Sequence, residues 1–161
     1  MNPRFSETQL LESIIADFGI MNTGKGKLGL VRELNNFLLN ESALGNNVVL
    51  IIDEAQNLKP NILEQVRLLS NIETEKDKLL QVILVGQPEL NARLNLYELR
   101  QLRQRIMVRY HILPLEDREV YGYIEHRLNI AGLAGGIDFT KEAVEIITTF
   151  SGGTPRLINM L

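Results

Sequence analysis

Two adjacent carboxylates, Asp53 and Glu54, follow directly on the apolar run Val48–Ile52 in VVLIIDEAQ. A short, continuous, β-branched run reads as a strand of a parallel sheet buried on both faces. Open α/β sheets bind ligands beyond the carboxyl ends of such strands. In that position the pair matches a Walker B arrangement: Asp53 would hold a magnesium-bound water and Glu54 would polarise an attacking water. The plainer alternative is a solvated loop start. A second buried run, QVILVG at Gln81 to Gly86, continues into LVGQPEL and puts Gln87 at the tip of a neighbouring strand. There Gln87 can contact a γ-phosphate or orient the water; as an alternative, it is a polar residue opening a loop with glycine and proline.

Arginines follow in LRQLRQRIMVRY: Arg100, Arg103, Arg105 and Arg109. A guanidinium carried just before a strand can reach a neighbouring subunit's nucleotide and offset developing charge, which assigns Arg105, or Arg103 in its stead, as an arginine finger. A solvated helix face and a nucleic-acid contact stripe are the competing readings. In SGGTPRLIN, Gly152 and Gly153 end one helix, Thr154 caps the next and Pro155 occupies its first turn. Arg156 then stands at a helix N-terminus, favourable to a phosphate. A capping turn with an exposed arginine is the alternative.

Gly19 to Lys25 matches G-x-x-x-x-G-K, yet Gly26 stands where Ser or Thr should bind magnesium. A phosphate loop also needs a buried strand before it, and an amphipathic helix precedes this one. The segment MNTGKGK therefore reads as an inter-helix turn, not a Walker A loop.

The elements that position these residues follow from periodicity. Ser6 and Gln9 form a capping box ahead of Leu10, Leu11, Ile14, Ile15 and Phe18, and Gly19 ends that helix. A second helix carries Leu28, Val31, Leu34, Phe37 and Leu38 and fades at Gly45-Asn46-Asn47. After the first strand, Pro60 opens a helix bearing Ile62, Leu63, Val66, Leu68 and Leu69. The second strand leads to a helical stretch through Leu94, Leu99 and Leu102 and then to IMVRYHIL, expected as a third strand. From Leu115 onward the pattern is helical: Asp117 to Ala131, about Thr140 to Phe150, and a start at Thr154. This order implies an α/β core with a parallel sheet, residues 1–115, followed by a helical segment, residues 116–161.

At 161 residues, with 45% hydrophobic and 23% charged, the chain has an ordinary globular composition. Seventeen basic against 20 acidic residues leave a net charge of −3, which gives no global attraction for nucleic acid or anionic lipid. Without cysteine, disulfides, thiol catalysis and Cys-ligated zinc are excluded; two histidines exclude a His-rich metal site. A hydrolase using Asp53 and Glu54 as metal ligands lacks a further ligand cluster. No apolar run reaches the roughly 20 residues of a membrane span, and no secretory signal opens the chain, so a cytoplasmic location is expected.

VVLIIDEAQNL, LLSNIETEKDKLLQVILVGQPEL, LRQLRQRIMVRYHILPL and SGGTPRLIN together resemble the AAA+ ATPases of the general secretion pathway protein A (ExeA-like) family. The resemblance runs over most of the chain. It implies Walker B at Asp53 and Glu54, sensor 1 at Gln87, the finger at Arg105 or Arg103, and sensor 2 at Arg156. It also implies ATP and Mg2+ as cofactors, a ring-like oligomer, and work on assembly of the general (type II) secretion apparatus beside an inner-membrane component. The protein would then be cytoplasmic, held peripherally at the inner membrane through that partner. Related AAA+ proteins act in pilus biogenesis and transposition, which keeps a non-catalytic or nucleic-acid-interacting module as the alternative. The family's Walker A strand and loop lie upstream of the region where this chain begins, so the sequence reads as a partial AAA+ core with a truncated helical lid. That strand lies between the second and third strands in the family sheet. Its loss implies either direct pairing of those two strands or a strand borrowed from another copy.

Overall fold

The computed structural model describes residues 6–21, 26–74, 77–133 and 137–161. The backbone divides into two compact units, Met1–Val108 and Arg109–Leu161, each with its own apolar cluster.

In the first unit, α1 (Glu7–Asp17) starts at the expected capping box. Ser6 Oγ accepts from the Gln9 amide at 3.2 Å, and the Ser6 amide donates to Gln9 Oε1 at 2.8 Å. Leu10, Leu11, Ile14 and Ile15 are buried, and Gly19 follows the helix at φ +69°. In α2 (Gly26–Ala43) the buried stripe is Leu30, Leu34 and Leu38, spaced four apart. Leu28, expected on that stripe, is 87% exposed because its position falls off the arc that faces α1. The Phe18 and Phe37 rings stack at 5.5 Å, and Lys27 pairs with Glu7 at 2.5 Å.

Strands β1 (Val48–Ile52) and β2 (Leu80–Leu84) pair in parallel, from Val48 opposite Leu80 to Ile52 opposite Leu84. Parallel pairing requires a crossover, and α3 (Pro60–Leu69) provides it with Pro60 in its first turn. Its Ile62, Leu63, Val66 and Leu69 are buried, each contributing about 1.5–3 kcal/mol of apolar burial. Leu68 points outward.

Among the described residues the sheet is covered on one face only, against expectation. Leu50, Ile52 and Leu80 are buried, whereas Val49, Ile51, Ile83 and Val85, which alternate with the inward positions, are exposed, Ile51 by 63%. The core residues of α1, α2 and α3 pack against the first set; among the described residues no element covers the second. A continuous apolar run cannot by itself reveal whether both faces have partners.

Helices α4 (Glu89–Leu94) and α5 (Arg100–Arg105) flank a 3-10 turn at Tyr97–Leu99, and α5 packs on α3. The segment IMVRYHIL is not a strand. Residues 106–116 have no regular secondary structure, and Met107 and Tyr110 are each 90% exposed. A strand exists by pairing, and among the described residues the sheet has two strands, β1 and β2, so of the two expected outcomes direct pairing does not form.

In the second unit, Val120 of α6 (Asp117–Ile130), Val144 of α7 (Lys141–Ser151) and Ile158 of α8 (Pro155–Ile158) meet in a small core. Gly152 and Gly153 end α7 at positive φ. A Cβ on Gly153 would overlap the backbone of Leu115, whose amide donates to the Gly153 carbonyl at 2.9 Å.

Candidate functional site

The ladder continues past both strands. Val85 N–H donates to the Ile52 carbonyl and Ala55 N–H to the Val85 carbonyl, both at 2.9 Å. Those two bonds carry the chain after β1 alongside the chain after β2, and so set Asp53-Glu54 beside Gly86-Gln87 at the carboxyl end of the sheet.

Asp53 is exposed, and one of its oxygens, Oδ1, accepts the Glu54 amide at 2.7 Å. Glu54 adopts the left-handed region at φ 55°, ψ 35°, and among the described residues it is the one non-glycine residue at positive φ. A side chain in that region costs about 1–2 kcal/mol, and such strain persists where surrounding contacts hold it. Here the contacts are hydrogen bonds: Glu54 Oε2 accepts from Gln56 Nε2 at 2.6 Å and from Asn57 Nδ2 at 3.4 Å.

Gln56 was not anticipated from sequence. It is 9% exposed, and its Oε1 accepts the backbone amide of Gln87 at 3.1 Å. Arg93 of α4 donates to the Gln56 backbone carbonyl. Gly86 packs so closely that an added Cβ would lie 2.7 Å from Gln56 Oε1. A glutamine two residues after Glu54 and a glycine just before Gln87 were the available signals, but neither has meaning until the two strand ends are adjacent.

The arginines stand apart from this cluster. Arg103 donates to Asn95 Oδ1 at 3.2 Å, and Arg100 lies 4.4 Å over the Tyr97 ring. Arg105 is the last residue of α5, and the Glu73 carboxyl is held below the usual range by the Lys78 hydrogen bond, then by the Lys78 charge, with the Arg105 charge adding to it. Among the described residues, no hydrogen bond or ion pair joins Arg103 or Arg105 to Asp53, Glu54 or Gln87. In the second unit Arg156 is exposed on α8, a helix of four residues, and Thr154 holds the cap position without a side-chain bond to it, contrary to expectation.

Of Gly19 to Lys25, residues 22–25 lie outside the described residues, and what precedes them is helix α1. No group of three or more His, Asp or Glu among the described residues is placed to hold a metal ion. Magnesium binds through one or two carboxylates together with waters and substrate phosphates. One exposed carboxylate with a single oxygen tied to backbone fits that hydrated role.

A parallel two-stranded βαβ unit with paired carboxylates at its carboxyl end is a partial P-loop-type α/β core, and residues 1–94 match the family described as AAA domain. The chain belongs to the AAA domain family. It is 45% identical over 162 aligned positions to "General secretion pathway protein A" of Aeromonas hydrophila. That match covers all of this chain and 29% of the relative's length. Among the described residues no helix is long and apolar enough to cross a membrane.

Proposed function

We propose that this chain is part of an AAA+ ATPase that powers assembly of the general (type II) secretion apparatus, with residues 1–115 as its core and 116–161 as its helical lid. The observation that carries the reading is the placement of Asp53-Glu54 beside Gln87 at the carboxyl end of a parallel sheet. The likeness to the Aeromonas protein supports the pathway. In this reading Asp53 would hold hydrated magnesium, Glu54 would polarise the attacking water and Gln87 would contact the γ-phosphate. Arg105 or Arg103 serves a neighbouring subunit's nucleotide in a ring-like oligomer, and Arg156 senses phosphate. ATP and Mg2+ are the cofactors; the site is cytoplasmic, at the inner membrane through a secretion component.

The β- and γ-phosphates are anchored mainly by a backbone cradle and its lysine, and among the described residues no strand–loop–helix carries one. Titration calorimetry of this chain with ATP·Mg should therefore give no heat at millimolar nucleotide. Micromolar binding would overturn that view and put a phosphate site at Gly19 to Lys25. In the ATPase containing this chain, Glu54→Gln should abolish turnover and spare nucleotide binding; unchanged turnover removes Glu54 from catalysis.

Arg100, Arg103 and Arg105, all exposed on α5, favour a second reading, a non-catalytic or nucleic-acid-interacting module. Its mark would be DNA affinity that falls steeply with salt.

A further inference from the structure

Gln56 has the chemistry of a relay. A carboxamide has a donor end and an acceptor end, and here each is used on a different side of the site: Nε2 donates to Glu54 Oε2 at 2.6 Å, and Oε1 accepts from the Gln87 amide at 3.1 Å. The reverse orientation would set oxygen against carboxylate and nitrogen against N–H, so both partners select the same arrangement.

Three further features hold it there. The side chain is buried, its own carbonyl is held by Arg93, and Gly86 leaves space for Oε1 that any side chain would fill. Hydrogen-bond chains of this kind polarise one another in a low-dielectric setting.

We infer that Gln56 is a positioning residue that couples the Glu54 carboxylate to the Gln87 backbone, so that a change of charge at Glu54 alters the Gln87 amide. This rests on reading Glu54 and Gln87 as the paired residues of the nucleotide site. Gln56 itself touches no reacting atom in that reading: it fixes where the Glu54 carboxylate points and where the Gln87 turn stands.

The test is a cycle of amide proton–nitrogen NMR spectra on this chain without nucleotide: wild type, Glu54→Gln, Gln56→Met and the double variant. Methionine keeps the length and volume of Gln56 and removes both hydrogen bonds. Glu54→Gln should shift the Gln87 amide resonance in the wild-type background, and that shift should be lost in the Gln56→Met background. A Gln87 resonance that does not move, or that moves equally in both backgrounds, overturns the coupling. Should Gln56→Met fail to fold, Gln56→Asn serves, because a side chain one methylene shorter cannot span both partners; persistence of the full shift there also overturns it. The readout needs no ATP. Unchanged turnover of Glu54→Gln in the ATPase and failure of this relay are therefore separate results.

Discussion

Gln56 Oε1 accepts the backbone amide of Gln87 at 3.1 Å across 31 positions of sequence. The contact exists because β1 and β2 run parallel in a register that ends Ile52 opposite Leu84, with the ladder carried on to Val85 and Ala55. It brings the two strand exits to one point and gives Glu54 a fixed neighbour. The same geometry forces Glu54 into left-handed backbone, the conformation a non-glycine residue adopts when nearby bonds over-determine it.

That strain can be measured apart from the side chain. Glu54→Gly and Glu54→Ala both delete the carboxylate and its bonds to Gln56 and Asn57. Glycine tolerates φ +55° and alanine does not. Denaturant unfolding should find the glycine variant the more stable of the two by about 1 kcal/mol. Equal stabilities would mean that Glu54 is not held in the left-handed region in solution.

The one-sided sheet makes neighbouring isoleucines unequal. Ile52 is buried at 6% exposure and Ile51 is 63% exposed. Ile52→Ala should cost about 2–5 kcal/mol, while Ile51→Thr, which keeps the β-branch, should stay within about 0.5 kcal/mol of wild type. A large loss for Ile51→Thr would show that something covers the Val49, Ile51, Ile83, Val85 face in solution.

Acid should weaken the first unit through two surface pairs. The Glu7 carboxyl lies below its usual value of 4.5 because Lys27 donates a hydrogen bond to it and adds its charge; Lys78 does the same for Glu73. A carboxyl with a lowered folded pKa contributes stability above its unfolded pKa and loses it as pH falls through the folded value. Stability should therefore decline as pH drops below about 4.5. Glu7→Gln and Glu73→Gln together should flatten that acid limb, and high salt should do so in part. An acid limb unchanged by both substitutions would show that neither pair contributes.

Much of the fold was legible before the structure. The Ser6–Gln9 box, Pro60 in the first turn of α3 and the glycines after α7 are local devices whose geometry depends on residues a few positions apart. The two strands were legible as apolar β-branched runs. The positions of Asp53, Glu54 and Gln87 at neighbouring strand ends were legible, whereas the contacts of Gln56, Arg93 and Gly86 were not, because they join distant segments.

Periodicity and end signals reside in neighbouring residues, and by themselves they determined where α1, α3, α6 and α7 begin and which faces of α1 and α3 are apolar. Family membership was legible for the same reason, as VVLIIDEAQ and LVGQPEL are contiguous stretches. Tertiary structure alone decided that Val49 and Ile51 stay exposed, that IMVRYHIL remains unpaired and that Gln56 bridges Glu54 to Gln87. Each of those outcomes depends on which partner reaches a given face or edge, and a strand's residues record its preference for pairing but not the presence of the pair.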